Sequence, residues 1–133
     1  MSKTRILIVD DEVDYLSVMK DRLESWGYAV VLAKNGLEAL SSVKNKSSDI
    51  VILDYFMPDI DGTTVLKEIR KTDKKLPVIM LTAHPDMDNI QGAQDLGVSA
   101  FISKFSAYSD VQHSLRSALD LAQKSIKNKK DKS

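Results

Sequence analysis

Five short apolar runs recur along the chain, and each is followed by a stretch whose apolar residues return every three or four positions. The first run, "RILIVD" over 5–10, shows no polar alternation, which is the pattern of a strand covered on both faces. After it, Leu16, Met19, Leu23 and Trp26 fall on one face of a helix, and Gly27 stands where a helix C-terminal cap belongs. "YAVVLA" (28–33) is predicted as a second strand, with a turn at Asn35-Gly36 leading into the helix "NGLEALSSVK". "DIVILD" (49–54) is the third strand, and a helix with Val65, Leu66 and Ile69 inward follows Gly62. "LPVIMLT" (76–82) is the fourth, with Pro77 suited to its first position because proline cannot donate to a ladder. A helix over 86–96 closes at Gly97 and "SAFIS" (99–103) is the fifth strand. Val111, Leu115, Leu119, Ala122 and Ile126 then mark a final amphipathic helix.

Strands alternating with helices predict an α/β fold, a doubly wound parallel sheet with right-handed crossovers. Patterning does not set the strand order. In such sheets ligands bind beyond the carboxyl ends of the strands. Asp10, Asp11, Asp54, Thr82 and Lys104 each lie at or just past a predicted strand end, so the fold can gather all five at one edge.

The chemistry of that set is coherent. Carboxylates brought within a few ångströms repel one another, and a divalent cation relieves the repulsion. Magnesium takes oxygen ligands, keeps several waters and accepts one or two carboxylates together with phosphate oxygens. A lysine supplies a point charge for phosphate oxygens, a threonine hydroxyl a hydrogen bond to the same group, and aspartate is a covalent acceptor of phosphoryl groups.

Composition narrows the classes further. The chain has 133 residues, 43% hydrophobic and 29% charged, which fits one soluble domain. No apolar stretch approaches the roughly 20 residues of a membrane span, and the first apolar run ends in two aspartates, unlike a signal peptide. The lack of cysteine removes disulfides and thiolate chemistry, and a cytoplasmic location is expected. The net charge of zero hides an asymmetry: the last ten residues, "KSIKNKKDKS", carry +4 and the remaining 123 carry −4. With basic residues in a terminal segment rather than on a face of the fold, neither direct nucleic-acid binding nor membrane binding is expected. His84 and His113 are too far apart in sequence to suggest a metal site, and Trp26 is expected in the core.

Taken jointly, these residues resemble the response-regulator receiver domains of bacterial two-component signalling. The likeness covers about residues 4–123 and rests on Asp10-Asp11, on Asp54 opening "DYFMPDIDG", on Thr82-Ala83 and on Lys104. "DYFMPDIDG" matches the family's D-x-x-M-P-x-x-[DN]-G run. The resemblance implies a flavodoxin-like (βα)5 sheet of order 2-1-3-4-5, a receiver domain over 1–123 and a Lys-rich tail or linker over 124–133.

It also implies roles. Asp54 would be the phosphoacceptor, with Lys104 and Thr82 assisting. Asp10, Asp11, Asp54 and the backbone carbonyl of Phe56 would hold Mg2+, and Thr82 with Phe101 would form a switch pair. The implied donor is a sensor histidine kinase or phosphotransfer protein. An output protein or domain would respond, and a phosphorylation-dependent homodimer is open. Such a chain is a switch that phosphorylates and dephosphorylates itself, not a turnover enzyme.

Two features depart from the pattern. Phe105 follows Lys104 where most members carry proline, usually after a cis peptide, and the long lysine stem is expected to absorb the difference. Phe56 and His84 occupy the positions that overhang the phosphoryl group, and a bulky Phe56 is expected to slow its hydrolysis. The rival readings are a receiver-type docking module that works without phosphorylation, a haloacid-dehalogenase-type phosphohydrolase using Asp10, and a flavodoxin-like flavin carrier. The last lacks a phosphate loop after the first strand.

Overall fold

A computed structural model describes residues 3–55, 57–83, 87–104 and 108–131. The expectations for Phe56, His84 and Phe105 therefore lie outside the described residues. Among the described residues five strands alternate with five helices: β1 (Arg5–Val9), α1 (Val13–Ser25), β2 (Ala29–Ala33), α2 (Gly36–Lys44), β3 (Ile50–Leu53), α3 (Gly62–Thr72), β4 (Val78–Thr82), α4 (Met87–Asp95), β5 (Ala100–Ser103) and α5 (Tyr108–Asp131). All strand pairs are parallel and the sheet order is β2-β1-β3-β4-β5.

Strand periodicity explains why the sheet carries two cores. Ile6, Ile8, Ile50, Ile52, Ile79, Leu81 and Ile102 project to one face and pack under Leu16, Met19 and Leu23 of α1 and Val111, Leu115 and Leu119 of α5. Leu7, Val9, Val51, Leu53, Val78 and Met80 project to the other and meet Ala39 of α2, Val65, Leu66 and Ile69 of α3, and Ala93 of α4. Each fully buried Leu or Ile contributes about 1.5–3 kcal/mol relative to exposure. Truncating Ile52 to alanine at the centre of this sandwich costs about 2–5 kcal/mol.

The ends of the elements follow local chemistry, with a few shifts from the sequence expectation. Trp26 is the C-cap of α1 and Gly27 adopts φ +97° beside it. Trp26 is half-buried, packed against the α1/α5 core with the Arg116 guanidinium 5.3 Å from its ring. Asn35-Gly36 is a helix start rather than a free turn, because the Asn35 side chain accepts the Glu38 N–H at 2.8 Å. Pro77 stays outside β4 and supplies a carbonyl to the Val51 N–H at 3.0 Å. Helix α5 runs unbroken through position 123 to Asp131, so the lysine-rich segment continues the helix.

At the amino edge of the sheet, Arg70 of α3 donates to four backbone carbonyls. These are Leu96 and Gly97 after α4, at 2.7 and 3.1 Å, and Asp73 and Leu76 before β4, at 3.1 and 2.9 Å. Desolvation lowers the Arg70 pKa, partly countered by the Asp73 charge, yet a guanidinium remains protonated throughout the physiological range.

Candidate functional site

Register builds the site. Val9 pairs with Leu53 across β1 and β3, so the residue after each strand, Asp10 and Asp54, emerges side by side. The ladder continues one step further: Asp54 N–H donates to the Val9 carbonyl and Asp10 N–H to the Ala33 carbonyl, both at 3.1 Å. On the far side Thr82 pairs with Ser103, and Lys104 N–H donates to the Thr82 carbonyl at 2.7 Å. Strand alternation then sorts the side chains. Asp10, Asp54 and Lys104 continue the α1/α5 face, whereas Thr82 and Phe101 continue the opposite one.

The charged groups meet. Ligand oxygens of Asp10, Asp11 and Asp54 all lie within 4.8 Å of one another. Asp10 and Asp54 are 2% and 5% exposed, a degree of burial at which a carboxylate needs a counter-charge, whereas Asp11 is exposed. Lys104 supplies that charge: its Nζ is ion-paired with Asp10, lies 3.5 Å from Asp54 Oδ2 and sits 4.2 Å from the Tyr15 ring centroid. The second Asp10 oxygen accepts the Glu12 N–H at 2.9 Å, which fixes the carboxylate in the turn. An all-oxygen donor set with two buried carboxylates and one open to solvent fits magnesium, which prefers such ligands and retains water.

Thr82 is fully buried at the end of β4. Phe101 is partly buried and packs against the core on the α2–α4 side, on the same sheet face as Thr82. His113 is exposed.

Gly62, Asp61 and Asp59 shape the loop after Asp54. Gly62 N–H donates to the Tyr55 carbonyl at 2.7 Å, folding the loop's end onto its beginning. A Cβ at Gly62 would stand 2.6 Å from the Asp54 carbonyl and 2.8 Å from Tyr55 Cα, so that closure requires glycine. Asp61 caps α3 by accepting the Thr64 N–H at 2.7 Å. Asp59 reaches out of the loop altogether and accepts the N–H groups of Gly36 and Leu37, each at 3.0 Å. Desolvation pushes the Asp59 carboxyl up, but the N–H groups of Gly36, Leu37, Ile60 and Asp59 itself outweigh it and hold the pKa below the ordinary aspartate value. The sequence signal for Asp59 was slight: one more acid in a turn.

A parallel α/β sheet that presents clustered carboxylates and a lysine beyond its carboxyl edge defines an acidic, cation-accepting site. The profile of the response regulator receiver domain matches residues 6–116, and the chain belongs to that family. It is 36% identical over 114 residues to the transcriptional regulatory protein ZraR of Klebsiella oxytoca, covering 86% of this chain and 26% of that protein. It is 40% identical over 119 residues to a probable transcriptional regulator, ycf27, of Guillardia theta, covering 89% and 46%. The chain thus spans between about a quarter and a half of the length of these curated relatives.

Among solved structures, a CheY-like receiver domain protein of Methanospirillum hungatei superposes with TM-score 0.83 at 31% identity, covering 93% of this chain and 99% of the other. The response regulator TrrA of Thermotoga maritima, solved with Mg2+ and BeF, gives TM-score 0.75 at 32% identity, with 86% and 98% covered. Receiver domains are in general phosphoacceptor switches of two-component signalling that bind Mg2+ at an acidic pocket, not turnover enzymes. No helix among the described residues is long and apolar enough to cross a membrane.

Proposed function

We propose that the chain is a magnesium-dependent phosphorylation switch that accepts a phosphoryl group on Asp54 from a histidine kinase or a phosphotransfer protein. The observation that carries this reading is the convergence of the Asp10, Asp11 and Asp54 oxygens within 4.8 Å, with the Lys104 ammonium 3.5 Å from Asp54. An Asp54 oxygen attacks phosphorus, the bond from phosphorus to the donor histidine nitrogen breaks, and that nitrogen keeps the electron pair. The product is an acyl phosphate. Bound between Asp10, Asp11, Asp54 and the Phe56 carbonyl, Mg2+ would supply charge neutralisation for the transferring oxygens.

The chain's own groups do the rest. Strand β3 holds Asp54 rigidly, and Lys104 moves from carboxylate to phosphoryl oxygens, where its charge is worth more as charge develops. The Thr82 hydroxyl donates to the same group, and Phe101 on the same sheet face repacks as β4 and β5 adjust. The added charge shifts an existing equilibrium rather than creating a new fold. The face built from α4, β5 and α5 then meets the output partner, or a second copy of the chain, in the cytoplasm.

Incubation with a small acyl-phosphate donor and magnesium, read by intact mass, tests this. Wild type is expected to gain one phosphoryl group, and Asp54→Asn or omission of the ion to prevent it. Phosphorylation that persists in Asp54→Asn would place the acceptor elsewhere.

A further inference from the structure

The segment from the end of β2 to the start of α2 holds none of the residues placed in the site above, yet both acid-bearing loops are tied to it. Ala33, at the end of β2, accepts the Asp10 N–H at 3.1 Å. Three residues on, the Gly36 and Leu37 N–H groups donate to the two oxygens of Asp59 at 3.0 Å each. These span 23 and 22 residues of sequence and are not a local turn. The contact is reinforced sterically. A Cβ on Gly36 would meet Ile60 Cγ1 at 2.3 Å and Cδ1 at 2.8 Å, so the loop rests directly on the glycine backbone.

Helix α2 does not need this carboxylate merely to be capped. Asn35 already accepts the Glu38 N–H at 2.8 Å, the usual N-cap bond to the third residue of a helix. Asp59 takes the two N–H groups before it. Its charge also suits the partial positive end of the helix. The arrangement is a two-pronged bridge from the Asp54 loop to the same short segment that anchors Asp10.

We propose that Asp59 is a positioning residue: by pinning the loop that follows Asp54 to the start of α2, it holds that loop's backbone in place beside the acidic cluster, and so sets the affinity of the site for magnesium. The inference rests on the magnesium-dependent reading above. Freed at this point, the loop is still closed at its base by the Tyr55–Gly62 hydrogen bond, so the loss is one of loop position and not of the fold.

Magnesium titration of the purified chain by calorimetry, with no phosphodonor present, separates a positioning role from a merely structural one. Three variants are compared with wild type. Asp59→Ala removes the bridge, Asp59→Asn keeps one carbonyl acceptor, and Asn35→Ala removes the other cap of the same helix without touching the loop. Asp59→Ala is expected to weaken magnesium binding about 10-fold, the low end of what outer supports of a metal site contribute. Asp59→Asn should fall between it and wild type. Asn35→Ala should lower thermal stability yet leave magnesium affinity within about 2-fold, since it shares no partner with the loop. At saturating magnesium, Asp59→Ala should regain the wild-type rate of phosphorylation by the acyl phosphate. Unchanged affinity in Asp59→Ala, or equal weakening in Asn35→Ala, would overturn the assignment. A wild-type chain that binds no magnesium would instead sink the reading on which it stands.

Discussion

Lys104 and Arg70 are both cations withdrawn from solvent at the ends of the same sheet, but their partners differ in kind. At the carboxyl edge, Lys104 faces two carboxylates, Asp10 and Asp54. At the amino edge, Arg70 faces four backbone carbonyls, contributed by the end of α3, the entry to β4 and the end of α4. Carbonyls neither titrate nor gain a substituent, so the Arg70 arrangement has one state. Carboxylates can accept a metal or a phosphoryl group, and the lysine, a compact charge on a flexible stem, can follow the negative charge where it goes. The fold thus sets one cation among groups that neither titrate nor accept a substituent and the other among groups that can do both.

Lys104→Met should produce the largest effect. Loss of its charge near the transferring oxygens is expected to slow phosphorylation of Asp54 by acyl phosphate about 10²-fold. Magnesium binding should move the opposite way and tighten, because a competing cation has left the carboxylates. Stopped-flow phosphorylation and calorimetric titration on one preparation read both. Weaker magnesium binding would mean that Lys104 holds the site together much as Arg70 holds the other edge, and the contrast would collapse.

Arg70→Met keeps most of the aliphatic stem and removes the donors. It leaves four carbonyls to other partners, two of them at the C-terminal end of α4, where a cation is also favoured by the helix dipole. The expected cost is about 2 kcal/mol of unfolding free energy, in the range for charged hydrogen bonds with part of the loss recovered by water. Magnesium affinity and phosphorylation rate should stay at wild-type values. A stability loss below about 0.5 kcal/mol, the ordinary range for a surface change, would show that the four bonds do not act as a rivet.

How much of this was legible in the sequence follows the same division. Asp10, Asp54 and Lys104 could be placed because each ends an apolar strand, and parallel strands bring their carboxyl ends together whatever their order. Period-two alternation then separates Lys104 from Phe101 with no further information. The strand order came from the family motif, since continuous apolar runs look alike in any position of a covered sheet. Arg70 and Asp59 were silent because their partners are backbone groups, several of them more than twenty residues away, and backbone groups have no letter. Asn35-Gly36 misled for a related reason: the same pair suits a turn and a helix start. Ile60 and Asp59, more than twenty residues away, decide why glycine is required there.

Asp59 gives the finest test of the comparison, because it is a titratable group working on backbone partners. Its native pKa lies below the ordinary value: desolvation opposes ionisation, but the hydrogen bonds from Gly36, Leu37, Ile60 and its own N–H prevail. A depressed native pKa means that the unfolded chain takes up the proton first as pH falls. The stabilisation is therefore complete above the unfolded aspartate value of about 3.9 and is lost as pH falls through the lower native value. Asp59→Asn should consequently be less stable than wild type at neutral pH, and the gap should narrow on acidification below about pH 4. Denaturant midpoints for both proteins across that window measure it. A gap that stays constant would mean the carboxylate's charge contributes nothing to the bridge. Asp59 would then belong with the fixed contacts of the amino edge, whose strength does not change with titration, instead of forming a titratable link between α2 and the loop that follows Asp54.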